Sequence, residues 1–304
     1  RDMGPVSRCA GPDVPPPQPF QYPLPTPPAK LADYAQVAAE IRILLDGSVD
    51  NGALFVRLAS QCASTYRATD HLGGCDGARI RFSPQKDWPS NAGLDKALML
   101  LQPVKDKFSE GLSWADLIVL AGTVAAEKAG SVALPFCGGR TDAEDGLGSE
   151  FLSPHVHSNT TNPEELKNAV RIMGLSLREY AALHGGGAMR YEGPYTAHPV
   201  AVSSDFFKTL LSEEWEEQGD QYKAKGKELY MLKVDLLLRF DGELLAIAQD
   251  YASALPGVFL RDFTAAWTKL MNADRFTPAG NLCSKTLHEQ FELPSSNHAQ
   301  ALLV

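Results

Sequence analysis

The chain has 304 residues, of which 44% are hydrophobic and 21% charged, with a formal net charge of −9. That length allows one large domain or two small ones and a deep core. An acidic chain without a basic stripe argues against nucleic acid as a partner, and no apolar run reaches transmembrane length, so a soluble protein is expected.

Residues 1–29 are proline-rich (PPPQPF, YPLPTPPAK). Proline removes backbone donors and fixes φ, so this arm is expected to be extended, either as a disordered leader or lying along a neighbouring protein with Phe20 and Tyr22 as anchors. From Leu31 a helical stripe of Tyr34, Val37, Ala38, Ile41, Leu44 and Leu45 stops at Asp46-Gly47. A second helix is predicted from about Gly52 to Tyr66 and a third from about Ala92 to Phe108, with a glycine-rich loop between them. GLSWADLIVLAGTVAAEKAG has Ser113 as N-cap and Gly130 just past its end. It is apolar nearly all round, which predicts the central buried helix.

Residues 131–162 read as loop, and Pro163 to Met173 as a short helix with Glu164 and Glu165 in its first turn. Gly174 to Tyr195 reads as a helix running into Gly185-Gly186-Gly187. The triplet ends the helix or lets something flat come close to its backbone. SSDFFKTLLSEEW is helical, EEQGDQYKAKGKELYML is hairpin-like and polar, and Asp241 to Ser253 and Pro256 to Phe276 make two more helices. No long strand-type alternation appears, so the expected class is all-α. The expected division is an arm over 1–29, a helical domain over 30–276 and a C-terminal extension over 277–304.

The five cysteines are Cys9, Cys62, Cys75, Cys137 and Cys283. Their spacing matches no zinc site, and the odd count leaves at least one thiol free or bonded to another chain. Cys62 and Cys75 are near enough in sequence to pair. His155 and His157 could share a metal but lack an obvious third ligand, and neither Gly73-Gly74 nor Gly138-Gly139 forms a phosphate loop.

VRLASQCASTYR, GARIRFSPQKDW, SWADLIVLAGTVAAEKAG, GRTDAED, YEGPY and AAWTKLMNADRF resemble, in order, segments of the class I haem peroxidases. That group holds cytochrome c peroxidase, ascorbate peroxidase and catalase-peroxidase, and the resemblance covers roughly Leu31 to Phe276. GARIRFSPQKDW and AAWTKLMNADRF look most like the C-terminal half of catalase-peroxidase, which keeps the fold but carries no haem. The resemblance implies a peroxidase fold of about ten helices. It also implies a proximal His on iron backed by a buried Asp, and a distal Arg, Trp and His that cleave peroxide.

Residue by residue, the distal Arg corresponds to Arg57, the distal Trp to Ser60 and the distal His to Gln61. A neutral amide cannot take a proton, which removes acid–base help of about 10²–10⁴-fold. The proximal His falls on Gly187, the Trp after Gly-Pro on Tyr195 and the proximal Asp on Asp235, which is then expected to seek another partner. His184 lies one turn before the ligand position. The family's cation ligands match Thr196 but otherwise fall on Ala188, His198 and Ser203, so no cation is expected.

These departures lead to an expected function as a haem-less, catalytically inactive peroxidase-like protein with no cofactor. It would be an accessory subunit of a larger organellar membrane complex, peripheral to the membrane and contacted through the arm 1–29 and the C-terminal tail. Eukaryotic class I peroxidases are commonly organellar, so the resemblance implies a chloroplast, thylakoid-lumen or mitochondrial location, reached after removal of a targeting peptide. The alternative is a peroxidase reducing hydrogen peroxide with haem b held by an atypical ligand, His184. A third expectation keeps the old cavity as a small-molecule site without chemistry.

Overall fold

The computed structural model describes residues 24–26, 28–48, 50–109, 111–130, 132–187 and 202–275. Ten α-helices, three single-turn 3₁₀ helices and one small sheet make up the regular structure of these residues. Helices α1 (Tyr34–Gly47), α2 (Asp50–Ala63), α3 (Asp95–Lys107) and α4 (Trp114–Gly130) come first. Then follow α5 (Pro163–Ile172), α6 (Leu177–Gly185) and α7 (Asp205–Ser212). The antiparallel sheet, in the order β1 (Trp215–Gln218), β2 (Gln221–Ala224) and β3 (Tyr230–Leu232), leads into α8 (Lys233–Phe240), α9 (Gly242–Ser253) and α10 (Pro256–Met271).

The helical class holds, with a small sheet inside it. The polar hairpin is present in register, Trp215 opposite Ala224 and Gln218 opposite Gln221. Helix α8 was not foreseen. Its apolar run is only VDLLL, too short for a helical period to stand out from a buried strand, and it ends where Asp241 caps α9 through the Glu243 and Leu244 N–H groups.

As expected, α4 is central, with every residue from Ala115 to Ala126 buried. Ser113 caps it by accepting the Asp116 N–H at 3.0 Å. Helix α4 lies closely against α2, where Gly122 leaves so little room that an added Cβ would stand 2.3 Å from the Ala59 Cβ. Helix α10 bridges the molecule by packing on both α6 and α2. Its Trp267 is fully buried and donates from Nε1 to Thr123 Oγ1 of α4 at 3.1 Å.

Leu24, in the described end of the N-terminal arm, lies beside Gly77 of this chain's own body. The Ala32 N–H donates to the Gly111 carbonyl at 3.0 Å, and a Cβ on Gly111 would stand 2.6 Å from the Ala32 nitrogen. Phe20, Tyr22 and the extension 277–304 lie outside the described residues. Among the described residues no helix is long and apolar enough to cross a membrane.

Cys62, near the end of α2, is disulfide-bonded to Cys75 in the following loop, 13 residues on. Cys137 is disulfide-bonded as well. A cross-link over so short a loop acts chiefly by restricting the unfolded chain. Replacing Cys62 and Cys75 together with Ala is expected to lower the unfolding free energy by about 3 kcal/mol, read from guanidinium midpoints. An unchanged midpoint would show that the bridge adds nothing to the fold.

Candidate functional site

Ser176 and Glu179 form a reciprocal capping box that fixes the start of α6. From that start, Tyr180 and His184 fall four residues apart on one face, their rings stacked with centroids 5.3 Å apart. Phe206 of α7 closes the pocket with its ring edge-on to His184 at 5.7 Å. Asp235, in the first turn of α8, comes from the opposite side.

Asp235 Oδ2 accepts the Leu232 N–H at 2.7 Å. Its Oδ1 is hydrogen-bonded to His184 Nε2, while His184 Nδ1 meets the Tyr180 hydroxyl at 3.2 Å. The carboxylate accepts, so Nε2 carries the proton and Nδ1 accepts from the tyrosine. His184 and Asp235 are 1% and 0% exposed, so water cannot substitute for either partner. Asp235 is thus not a carboxylate without a histidine, as the family register alone implies. His184 reaches it from one turn earlier and spends both ring nitrogens inside the core.

Helix α6 stops at Gly185, two residues short of the ligand position. The Gly186 N–H donates to the Ala182 carbonyl at 2.9 Å and the Gly187 N–H to the His184 carbonyl at 3.1 Å. Gly187 has φ 88°, in the left-handed region that a side chain makes costly. The flat groups that approach the triplet belong to the chain itself. A Cβ on Gly185 would stand 2.4 Å from the Phe207 ring, and one on Gly186 would stand 2.4 Å from the Phe263 ring.

On α2, Arg57 Nη2 donates to the Ser90 and Ala92 carbonyls, each at 2.9 Å, tying the helix to the turn before α3. Ser60 Oγ donates back to the Val56 carbonyl at 2.9 Å, and Gln61 is buried. A cleft of about 700 Å³ runs past Arg57, Ser90, His157, Asn159, Gln221 and Leu232. Ser60, Gln61 and His184 are not part of its described lining.

His155 Nε2 lies 3.3 Å from the Thr65 carbonyl, and burial pushes its imidazole pKa down. Among the described residues no group of three His, Cys, Asp or Glu could hold a metal. Tyr195, Ala188, Thr196 and His198 lie outside the described residues, while Ser203 Oγ accepts the Asp205 N–H at 3.2 Å.

The family resemblance puts an axial haem ligand at 187, with His184 the nearest described imidazole. Gly187 supplies no ligand and His184 has no free nitrogen, so these two described residues do not fit the group. Sequence reasoning missed Tyr180 as the second partner of His184, although the four-residue spacing was the available signal.

The profile of the family described as peroxidase matches residues 37–190. Among curated proteins, the chain is 36% identical to a catalase-peroxidase of Pyrenophora tritici-repentis, over 91% of this chain and 41% of that protein. It is likewise 36% identical to catalase-peroxidase 2 of Legionella pneumophila strain Lens, over 91% of this chain and 43% of that one. The catalase-peroxidase of Paracoccus denitrificans is 36% identical over 91% and 42%. The chain thus spans about two fifths of the length of these relatives.

Breaking the buried pair from one side leaves an uncompensated carboxylate. His184→Ala is expected to cost about 3–5 kcal/mol of stability. His184→Leu combined with Asp235→Leu is expected to cost much less, because both polar groups leave together. Denaturant melts of the two variants check this, and equal losses would contradict it.

Proposed function

The chain belongs to the peroxidase family, in its class I haem-peroxidase branch, and from that membership we propose that it is a haem-free, catalytically inactive member serving as an accessory subunit of a larger assembly. The observation that carries this reading is the enclosure of His184 between Tyr180 and Asp235. The residue nearest the ligand position is committed to the core. Gln61 adds that the distal position holds no base. Cys62–Cys75 and the bonded Cys137 support residence in an oxidising compartment, such as the organellar lumen proposed here, over a reducing one. Partner contacts are assigned to the arm 1–29 and to residues 277–304.

The second reading is a peroxidase that reduces hydrogen peroxide with haem b, and the catalase-peroxidase names of the relatives favour it. It requires His184 to give up Asp235 or Tyr180.

Purified full-length protein titrated with haem is expected to show no Soret band beyond that of free haem and no peroxide turnover. A stoichiometric Soret band with peroxide turnover, both lost in a folded His184→Ala variant, would establish the second reading instead. A lone monomer throughout native fractionation would remove the subunit role while leaving the haem result intact.

A further inference from the structure

Away from the α6–α8 site, a buried ionic cluster joins the end of α10 to two loops. Asp76 lies in the loop fastened by Cys75, and its Oδ1 accepts the Thr141 N–H at 3.0 Å. Asp274, three residues past α10, accepts the Asp76 N–H on Oδ2 at 2.7 Å. Its other oxygen, Oδ1, is buried and has no hydrogen-bond partner among the described residues. The room for this carboxylate comes from Gly74, with φ 91°, where an added Cβ would stand 2.5 Å from the Asp274 Cβ. A half-buried carboxyl group, Asp76, thus stands beside a buried one, Asp274, and like charges in such a place resist ionising together.

The groups facing this pair from the surrounding elements are accounted for. From the loop after α4, Arg140 donates from Nη1 to Asp116 Oδ1 and to the Cys137 carbonyl, and from Nη2 to the Met271 carbonyl. Arg275, beside Asp274, donates to the Gly138 carbonyl at 2.6 Å, and burial lowers its pKa. Asp116 of α4 is held by the Gly139 and Arg140 N–H groups and by the Tyr34 hydroxyl of α1. Asp142 accepts the Trp114 and Ala115 N–H groups. Arg275 and Arg140 act against the rise of the Asp76 carboxyl, but burial and Asp274 outweigh them.

We propose that Asp76 and Asp274 form an acid-tightened latch that grips the chain just past α10 and loosens as the solution turns neutral. The direction follows from linkage. Burial and the neighbouring Asp274 charge push the Asp76 carboxyl up to about 6. The closed form therefore binds a proton more tightly than the opened form. Its advantage grows as pH falls through that value and is lost as pH rises past it. The latch stands apart from the haem question, because it shares no residue with Tyr180, His184 or Asp235.

Amide hydrogen exchange on the full chain, corrected for intrinsic rates, tests this directly. Between pH 5 and pH 8 the opening equilibrium at the Asp76 and Thr141 N–H groups is expected to rise about tenfold, while α4 amides show no such trend. Asp76→Asn, which keeps an acceptor for Thr141 without the charge, is expected to abolish the rise. A flat wild-type opening equilibrium would overturn the latch whether or not the variant folds. So would a rise of the same size in folded Asp76→Asn.

Discussion

The packing of α6 against the start of α8 depends on one buried pair, His184 with Asp235. Neither residue is accessible to water, so each must be satisfied by protein groups. The carboxylate takes the Nε2 proton and the Leu232 N–H, and the tyrosine on the same helix face takes the other imidazole nitrogen. These bonds tie α6 to the start of α8 and set the orientation of the ring. A histidine used this way is part of the core and has no nitrogen left to offer an iron.

The neighbouring glycines complete the argument from the opposite direction. Where the family would place a ligand, the backbone has turned into the left-handed region at Gly187. The two preceding glycines are closed over by Phe207 and Phe263. Helix α10 supplies one of those rings and also buries Trp267 against α4, so the filling is continuous with the main core.

Much of this was legible in the sequence, and the failures have physical causes. The buried α4, the Ser113 cap and the polar hairpin follow from local pattern and capping chemistry. Gly at 187 and Gln at 61, where the resemblance puts the iron ligand and the distal base, are read from residue identity alone. The partner of Asp235 could not be read, because a bond between residues 51 positions apart depends on how α6 and α8 pack. Family register left that carboxylate alone, whereas a one-turn shift of the histidine rescued it. Helix α8 escaped because eight residues carry too little period to distinguish helix from strand. The Asp76–Asp274 contact spans 198 residues and needs a glycine's missing side chain, which no local pattern reveals.

The central claim is that His184 has both ring nitrogens committed, and imidazole ¹⁵N NMR tests it most directly. The account predicts an Nε2-protonated ring with Nδ1 accepting a hydrogen bond, and a spectrum unchanged by stoichiometric haem. Loss of the Nε2 proton with paramagnetic broadening of His184 on adding haem would contradict it.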